Sequence, residues 1–309
     1  MKARLLLNEI QQQRRLSDQV IKVGLDALMD IYYPGLAPDV IHFAEIGSYG
    51  RGTNNDPEPD IDVMYLGIPN DPEQGFFNWV GIGTSKMAQD PAGLTALSQV
   101  QEYDPKLAQA ITATIKRLED HFGCDGQASF NFVRSWPEFP GVVFNLSAPI
   151  PGYGQLGFDI NLYHPKEYFG VEHSKRFVHY VERVRAEMGE EIAAKLILDI
   201  RQVKQAAKDF ARDPKTGQIR KAKKVWGITC EALFTYCYPP PSRDALFREI
   251  KSMDAGSFPS VLSGTDYTYP IQVIDENLSL KKVLDVGWET GLFHERNWET
   301  LVSALEPYD

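Results

Sequence analysis

The chain has 309 residues, 43% of them hydrophobic and 24% charged, which is enough length and apolar content for one large or two modest globular domains. This composition excludes a disordered, collagen-like or disulfide-scaffolded chain. With 32 Lys and Arg against 42 Asp and Glu the net charge is -10, so there is no global positive field to gather a long nucleic acid by counterion release.

In chain order, residues 3–32 place Leu6, Ile10, Val20, Leu25, Leu28 and Ile31 mostly at helical spacing and stop before Pro34-Gly35, which predicts a long amphipathic first helix. Residues 40–46 read as a strand. A glycine-rich turn, Gly47-Ser48-Tyr49-Gly50-Arg51-Gly52-Thr53, follows, and residues 60–66 resume the period of two of a half-buried strand. A helix over 106–122 comes next, then strands over 128–134, 142–146 and 156–163, separated by turns such as Pro149-Ile150-Pro151-Gly152. Beyond Tyr163 the pattern turns helical, over 174–188, 191–211 and 226–236, with Pro239-Pro240-Pro241 as the stop.

Cys124, Cys230 and Cys237 have neither CxxC nor Cys/His spacing and read as buried, reduced thiols. The six histidines form no HxH or HExxH pair, and no G-x-G-x-x-G or Walker pattern occurs. No run approaches the roughly 18 apolar residues of a membrane span, and the N-terminus turns polar after Leu5-Leu6-Leu7. The expectation is a soluble, cytoplasmic protein with no membrane partner.

In a strand, residues i and i+2 share a face, so Asp60 and Asp62 present two carboxylates about 7 Å apart at their Cα atoms. Two like charges at that separation repel unless a cation lies between them, and hard oxygen ligands with positions left for water and phosphate suit Mg²⁺. Asp159 is an acid within an apolar strand and so needs a partner. Twelve residues before Asp60, Gly47-Ser48 stands where a turn into a helix can aim backbone N–H groups and a hydroxyl at phosphate oxygens. Any one of these features is common by itself, as a solvated strand face or a plain turn; together they are rare.

The GS turn, the Asp60-Ile61-Asp62 strand and the later Asp159 resemble the nucleotidyltransferases of the DNA polymerase beta superfamily. They look most like the branch holding cyclic GMP-AMP synthase, oligoadenylate synthase, bacterial CD-NTases and archaeal CCA-adding enzymes. Residues 198–208, residues 223–234 with Gly227 and Glu231, and Tyr269-Pro270-Ile271-Gln272-Val273-Ile274-Asp275 are similar to later segments of that branch. The resemblance implies an α+β fold with a long N-terminal helix, a polymerase beta-like sheet domain over 1–170 and a helical domain over 171–309.

It also implies a catalytic and metal-binding set of Asp60, Asp62 and Asp159 holding two Mg²⁺ ions, with Mn²⁺ as a substitute. Nucleotide contacts would come from Gly47, Ser48, Arg51, Lys204 and Trp226. Between Arg201 and Lys224 lie nine Lys or Arg against two Asp, and the resemblance puts a phosphate-contacting lysine on that helix, with Lys204 the match. Where family members often carry Ser and Tyr beside the glycine of the next helix, Trp226 and Ile228 flank Gly227. Trp226 can replace the stacking ring, although its composition class favours a core position.

The expected activity is the joining of ribonucleoside triphosphates into a small cyclic or linear oligonucleotide messenger in bacterial antiphage signalling, sensed by a downstream effector protein. One alternative is an RNA 3′-end nucleotidyltransferase of the CCA-adding or poly(A) kind, which the acidic balance disfavours. Another is an inactive nucleotide-binding module, which would have no need of three carboxylates.

Overall fold

The computed structural model of the chain describes residues 2–35, 43–45, 47–55, 60–65, 93–136, 139–163, 171–220, 223–253, 279–281, 283–284 and 297–306. They form two compact units: Gln11–Gly50 with Asp56–Val171, and Met1–Ile10 with Arg51–Asn55 and Glu172–Asp309. The first ten residues and segment 51–55 thus group with the C-terminal half, an arrangement that no contiguous cut of the sequence describes. The fold is mixed α+β with a long N-terminal helix. The 269–275 stretch and residues 40–42, 46 and 66 of the expected strands lie outside the described residues.

The first unit contains most of helix α1 (Lys2–Tyr32), strands β1 (Phe43–Glu45) and β2 (Asp60–Tyr65), helices α2 (Leu97–Tyr103) and α3 (Pro105–Phe122), and strands β3 (Ser129–Trp136), β4 (Phe139–Ile150) and β5 (Gly154–Tyr163). The strands make one sheet in the order β1-β2-β5-β4-β3. Pairing is antiparallel except between β2 and β5, which run parallel.

Alternation along the strands separates the two faces of this sheet. Ile61, Val63 and Tyr65 of β2, Phe158, Ile160 and Leu162 of β5, and Phe144 and Leu146 of β4 are fully buried in one apolar cluster with Leu16, Val20, Leu25 and Leu28 of α1 and Leu107, Ile111 and Leu118 of α3. Asp60, Asp62, Gly157, Asp159, Asn145 and Ser147 occupy the other face, because they alternate with those residues and pair in register across the strands. Helix α3 is set by the i, i+4, i+7 and i+11 spacing of Leu107, Ile111, Thr114 and Leu118. Its ends are defined locally: the Asp104 carboxylate accepts from the backbone N–H groups of Lys106 and Leu107, and Gly123 closes it at φ 66°.

The second unit is helical: the start of α1, then α4 (Val171–Met188), α5 (Glu190–Ala211), α6 (Gly227–Thr235), α7 (Arg243–Lys251) and α8 (Trp298–Leu305). Leu7 and Ile10 of α1 join Ile197, Ile200 and Val203 of α5, Leu233 and Phe234 of α6 and Leu301 of α8 in its core. The short helices α2, α7 and α8 are absent from the sequence expectation. Tertiary contacts hold two of them together: the buried Arg243 of α7 donates to the carbonyls of Ala304, Leu305 and Glu306, capping the end of α8.

All three cysteines are free, and Cys124 and Cys230 are buried as the sequence leads one to expect, whereas Cys237, also expected inside, is partly exposed just beyond α6. Among the described residues no helix is long and apolar enough to cross a membrane.

Gly24 of α1 tests how tightly the helix sits on the sheet. A Cβ at this position would lie 2.6 Å from the Tyr65 hydroxyl, and that ring is fully buried with its hydroxyl donating to the Ile21 carbonyl at 2.6 Å. In an open helix Gly→Ala gains about 1 kcal/mol. Here the rigid ring has nowhere to move, so Gly24→Ala is expected to lose about 1–3 kcal/mol by overpacking, read as a lower urea midpoint.

Candidate functional site

The parallel register of β2 on β5 sets Asp62 opposite Asp159 and Asp60 opposite Gly157. Paired residues of neighbouring strands project to the same face, so the three acids named from the sequence share the polar side of the sheet. Asp60 is exposed, and Asp62 and Asp159 are half-buried. Two glycines leave room for them. A Cβ on Gly157 would lie 2.9 Å from Asp60 Cγ, and one on Gly47 would lie 2.8 Å from Asp62 Cβ and 2.9 Å from its Cγ. The Gly47 backbone therefore lies directly against the Asp62 side chain, and only glycine permits that approach.

The site consists of hard oxygen donors, partly solvated, and that donor chemistry fits Mg²⁺. Among the described residues, however, no three Asp, Glu, His or Cys side chains stand together as a set able to hold a metal ion. The register brings the three positions to one face; the carboxylates themselves do not converge on one point.

Burial raises the pKa of Asp159, while a hydrogen bond from Asn145 and the charge of Arg134 pull it back down. The donated bond is one link of a chain across three strands. Asn145 Nδ2 on β4 donates to Asp159 Oδ1 at 2.5 Å, and Asn131 Nδ2 on β3 donates to Asn145 Oδ1 at 2.6 Å. On β5, Asn161 Nδ2 reaches the carbonyls of Val63 and Asp159, each at 3.2 Å. None of these asparagines is among the candidates drawn from the sequence. The available signal was an Asn between two large apolar residues in three successive strands: Phe130-Asn131-Phe132, Phe144-Asn145-Leu146 and Ile160-Asn161-Leu162.

The glycine turn spans Gly47 to Gly52 and leads into irregular backbone at 53–55. The helix expected to follow the turn is not found among the described residues. Gly52 adopts φ 73°, which no right-handed helix can accommodate, and a Cβ there would clash with Ile10. Arginines hold carbonyls on both sides of Arg51: Arg14 Nε donates to Gly50 O at 2.9 Å, and Arg201 Nε to Gly52 O at 2.7 Å.

Segment 51–55 is anchored inside the helical unit by a buried charge cluster. The guanidinium of Arg51, 7% exposed, pairs with the fully buried Glu231, with Nε 3.0 Å from Oε2, and donates to Ser174 Oγ at 2.7 Å. Thr53 Oγ1 donates to Glu231 Oε1 at 2.5 Å. Lys204 Nζ completes the cluster at 3.2 Å from Thr53 Oγ1 and 3.3 Å from Glu231 Oε1. Burial lowers the Lys204 pKa, with Glu231 opposing and Arg51 reinforcing the shift. Gly227 makes space for this lysine, since a Cβ there would lie 2.8 Å from Lys204 Cε. Arg51, named from the sequence for nucleotide contact, is thus engaged in a structural pair. Trp226, for which composition favoured the core, is instead 45% exposed at the N-cap of α6, with Lys224 Nζ 3.9 Å from its ring.

No protein-family model matches the sequence, and no curated protein is similar to it. Among solved structures, the chain is similar to terminal uridylyl transferase 4 from Trypanosoma brucei with bound dUTP, at 14% identity and TM-score 0.42 over 91% of this chain and 79% of that one. The same enzyme with bound UPU matches at 14% identity and TM-score 0.36, over 80% of this chain and 57% of that one. A cytoplasmic RNA terminal U-transferase matches at 12% identity and TM-score 0.37, over 75% and 51%. In the last two the chain spans little more than half the length of its neighbour. Similarity this distant assigns the chain to no family.

Glu231 is the fully buried anion that Arg51 and Lys204 share. Glu231→Gln keeps the shape but removes the charge with which both cations pair there, and is expected to cost about 3–5 kcal/mol in urea denaturation. Adding Lys204→Met should recover part of that loss by removing one of the two cations that Glu231 balances.

Proposed function

We propose that the chain is a Mg²⁺-dependent nucleotidyltransferase that joins ribonucleoside triphosphates into a small cyclic or linear oligonucleotide messenger. The observation that carries this reading is the register of Asp62 with Asp159 on the polar face of the sheet, with the Gly47 backbone laid against Asp62. One surface then offers acids for cations and, beside them, a turn with backbone N–H groups and a hydroxyl for phosphate.

Asp60, Asp62 and Asp159 hold two Mg²⁺ ions, or Mn²⁺ in their place. The strand geometry puts the Asp62 and Asp159 backbones one strand spacing apart, about 4.8 Å, so torsion of the Asp62 side chain suffices to bring its carboxylate toward that of Asp159. When bound, the ions acidify the attacking ribose hydroxyl and neutralise the leaving pyrophosphate. Gly47 and Ser48 orient the triphosphate through backbone N–H groups and the Ser48 hydroxyl. The ribose oxygen forms its bond to the α-phosphorus as the bond to the pyrophosphate oxygen breaks, and the hydroxyl proton passes to Asp159. Arg51 and Lys204 fix the far end of the turn through Glu231 and Thr53, and Trp226 offers an exposed ring for a base. The net charge of -10 supports mononucleotide substrates over a long polyanionic acceptor, and the expected reader of the product is a separate effector protein.

Incubation with the four ribonucleoside triphosphates and Mg²⁺ or Mn²⁺, followed by mass spectrometry, should give phosphatase-resistant products of two or three nucleotides without any RNA. Incorporation only when RNA is added would replace the messenger reading with RNA 3′-end transfer. No turnover under either condition would leave a binding module. Asp60→Asn, Asp62→Asn and Asp159→Asn should each abolish product while thermal melts stay near wild type, because each removes charge from a partly solvated site.

Ser48→Ala should weaken nucleotide binding by about 1.5–3 kcal/mol, the worth of one hydrogen bond to a charged group. Gly47→Val should do more damage, since its side chain occupies the space of the Asp62 carboxylate. Calorimetric titration with a non-hydrolysable triphosphate distinguishes the two.

A further inference from the structure

An ionised carboxylate can only accept hydrogen bonds, so an amide facing one must turn its nitrogen toward it. Asp159 therefore orients the Asn145 amide: Nδ2 points at the carboxylate and Oδ1 points away. That exposed acceptor in turn requires a donor, and Asn131 supplies one. Every donor in the row from β3 through β4 to β5 runs toward Asp159, and none can be reversed without setting two acceptors or two donors face to face. Asn145 is only 8% exposed and lies on a strand paired on both sides, so its side chain has little freedom to depart from this arrangement. Asparagine is a poor strand former, and its cost here is offset by the orienting bond it makes.

We propose that Asn145, backed by Asn131, is a positioning residue that holds the Asp159 carboxylate by one oxygen and so fixes the other as the oxygen with which it serves as the third acid. This rests on the nucleotidyl-transfer reading above. With Oδ1 occupied by Asn145, the carboxylate is pinned through one oxygen and presents the other. A second partner of this kind behind a metal-binding side chain changes affinity or turnover by about 10- to 100-fold when lost. Asn131 acts one step further back, by fixing which way the Asn145 amide faces.

The test is Mn²⁺ affinity, measured by electron paramagnetic resonance on the full chain, together with kcat and KM for nucleotide. Asn145→Leu keeps the volume and removes both donor and acceptor. It should weaken Mn²⁺ binding and lower kcat about 10- to 100-fold, with KM for nucleotide changed less than about twofold and an unchanged melting temperature. Asn131→Leu should show the same pattern at smaller amplitude. A merely structural role would instead lower the melting temperature and leave Mn²⁺ affinity as it was. If Asp159→Asn weakens Mn²⁺ binding while Asn145→Leu leaves it and kcat intact, the positioning role is overturned and nucleotidyl transfer stands. If neither variant alters Mn²⁺ affinity, Asp159 is not a metal ligand, and the functional reading falls together with the inference built on it. Should Asn145→Leu fail to fold, Asn131→Leu carries the same comparison.

Discussion

Parallel pairing of β2 with β5 places Asp62 level with Asp159, and the site depends on that register. A slip of one residue on either strand would turn its acids toward α1 and α3 and its large apolar residues toward water. The slip is opposed by burial of Ile61, Val63 and Tyr65 on one strand and Phe158, Ile160 and Leu162 on the other, all fully inside the core. At about 1.5–3 kcal/mol for each large apolar side chain, the core face fixes the register far more strongly than the polar face could. The alignment of the acids is thus a by-product of hydrophobic packing on the opposite side of the same strands.

The polar face presents the reverse problem, since carboxylates and amides gathered on one surface must be satisfied or remain wet. Both solutions occur. Asp60 remains exposed, while Asp159, partly withdrawn from water, receives a donated bond from Asn145. Glycine supplies the remaining room, at Gly157 beneath Asp60 and at Gly47 against Asp62. Side chains at these two positions would occupy the space in which the carboxylates now lie.

In the helical unit charge is handled differently. Arg51, Lys204 and Glu231 form a buried cluster with two cations and one anion, tied further by Thr53 and Ser174. Its partners come from widely separated parts of the sequence, and its effect is to fix segment 51–55, the chain that continues directly from the glycine turn. The turn is therefore held from both ends, by Arg14 at Gly50 and by Arg201 and Glu231 just beyond it.

Local patterns determined the strands and long helices of this protein. The alternation of 60–65 and 156–162 and the helical spacing of α1, α3 and α5 are each set by residues a few positions apart, and so was the shared face of Asp60 and Asp62. Asp159 was legible as an acid out of place in an apolar strand. Tertiary structure alone decided that Asp159 pairs with Asp62, because strand order and register join segments about a hundred residues apart through packing that no local period encodes. It also decided the role of Asn145, whose value lies in one hydrogen bond across strands. The family resemblance made Lys204 of α5 a phosphate contact, yet Arg201 and Lys204 turn to segment 51–55 and Glu231, whose approach depends on the folded chain. The same holds for Trp226: its composition class favoured burial, but its place at the start of α6 leaves the ring in water, since exposure follows from which neighbours arrive and not from the residue type.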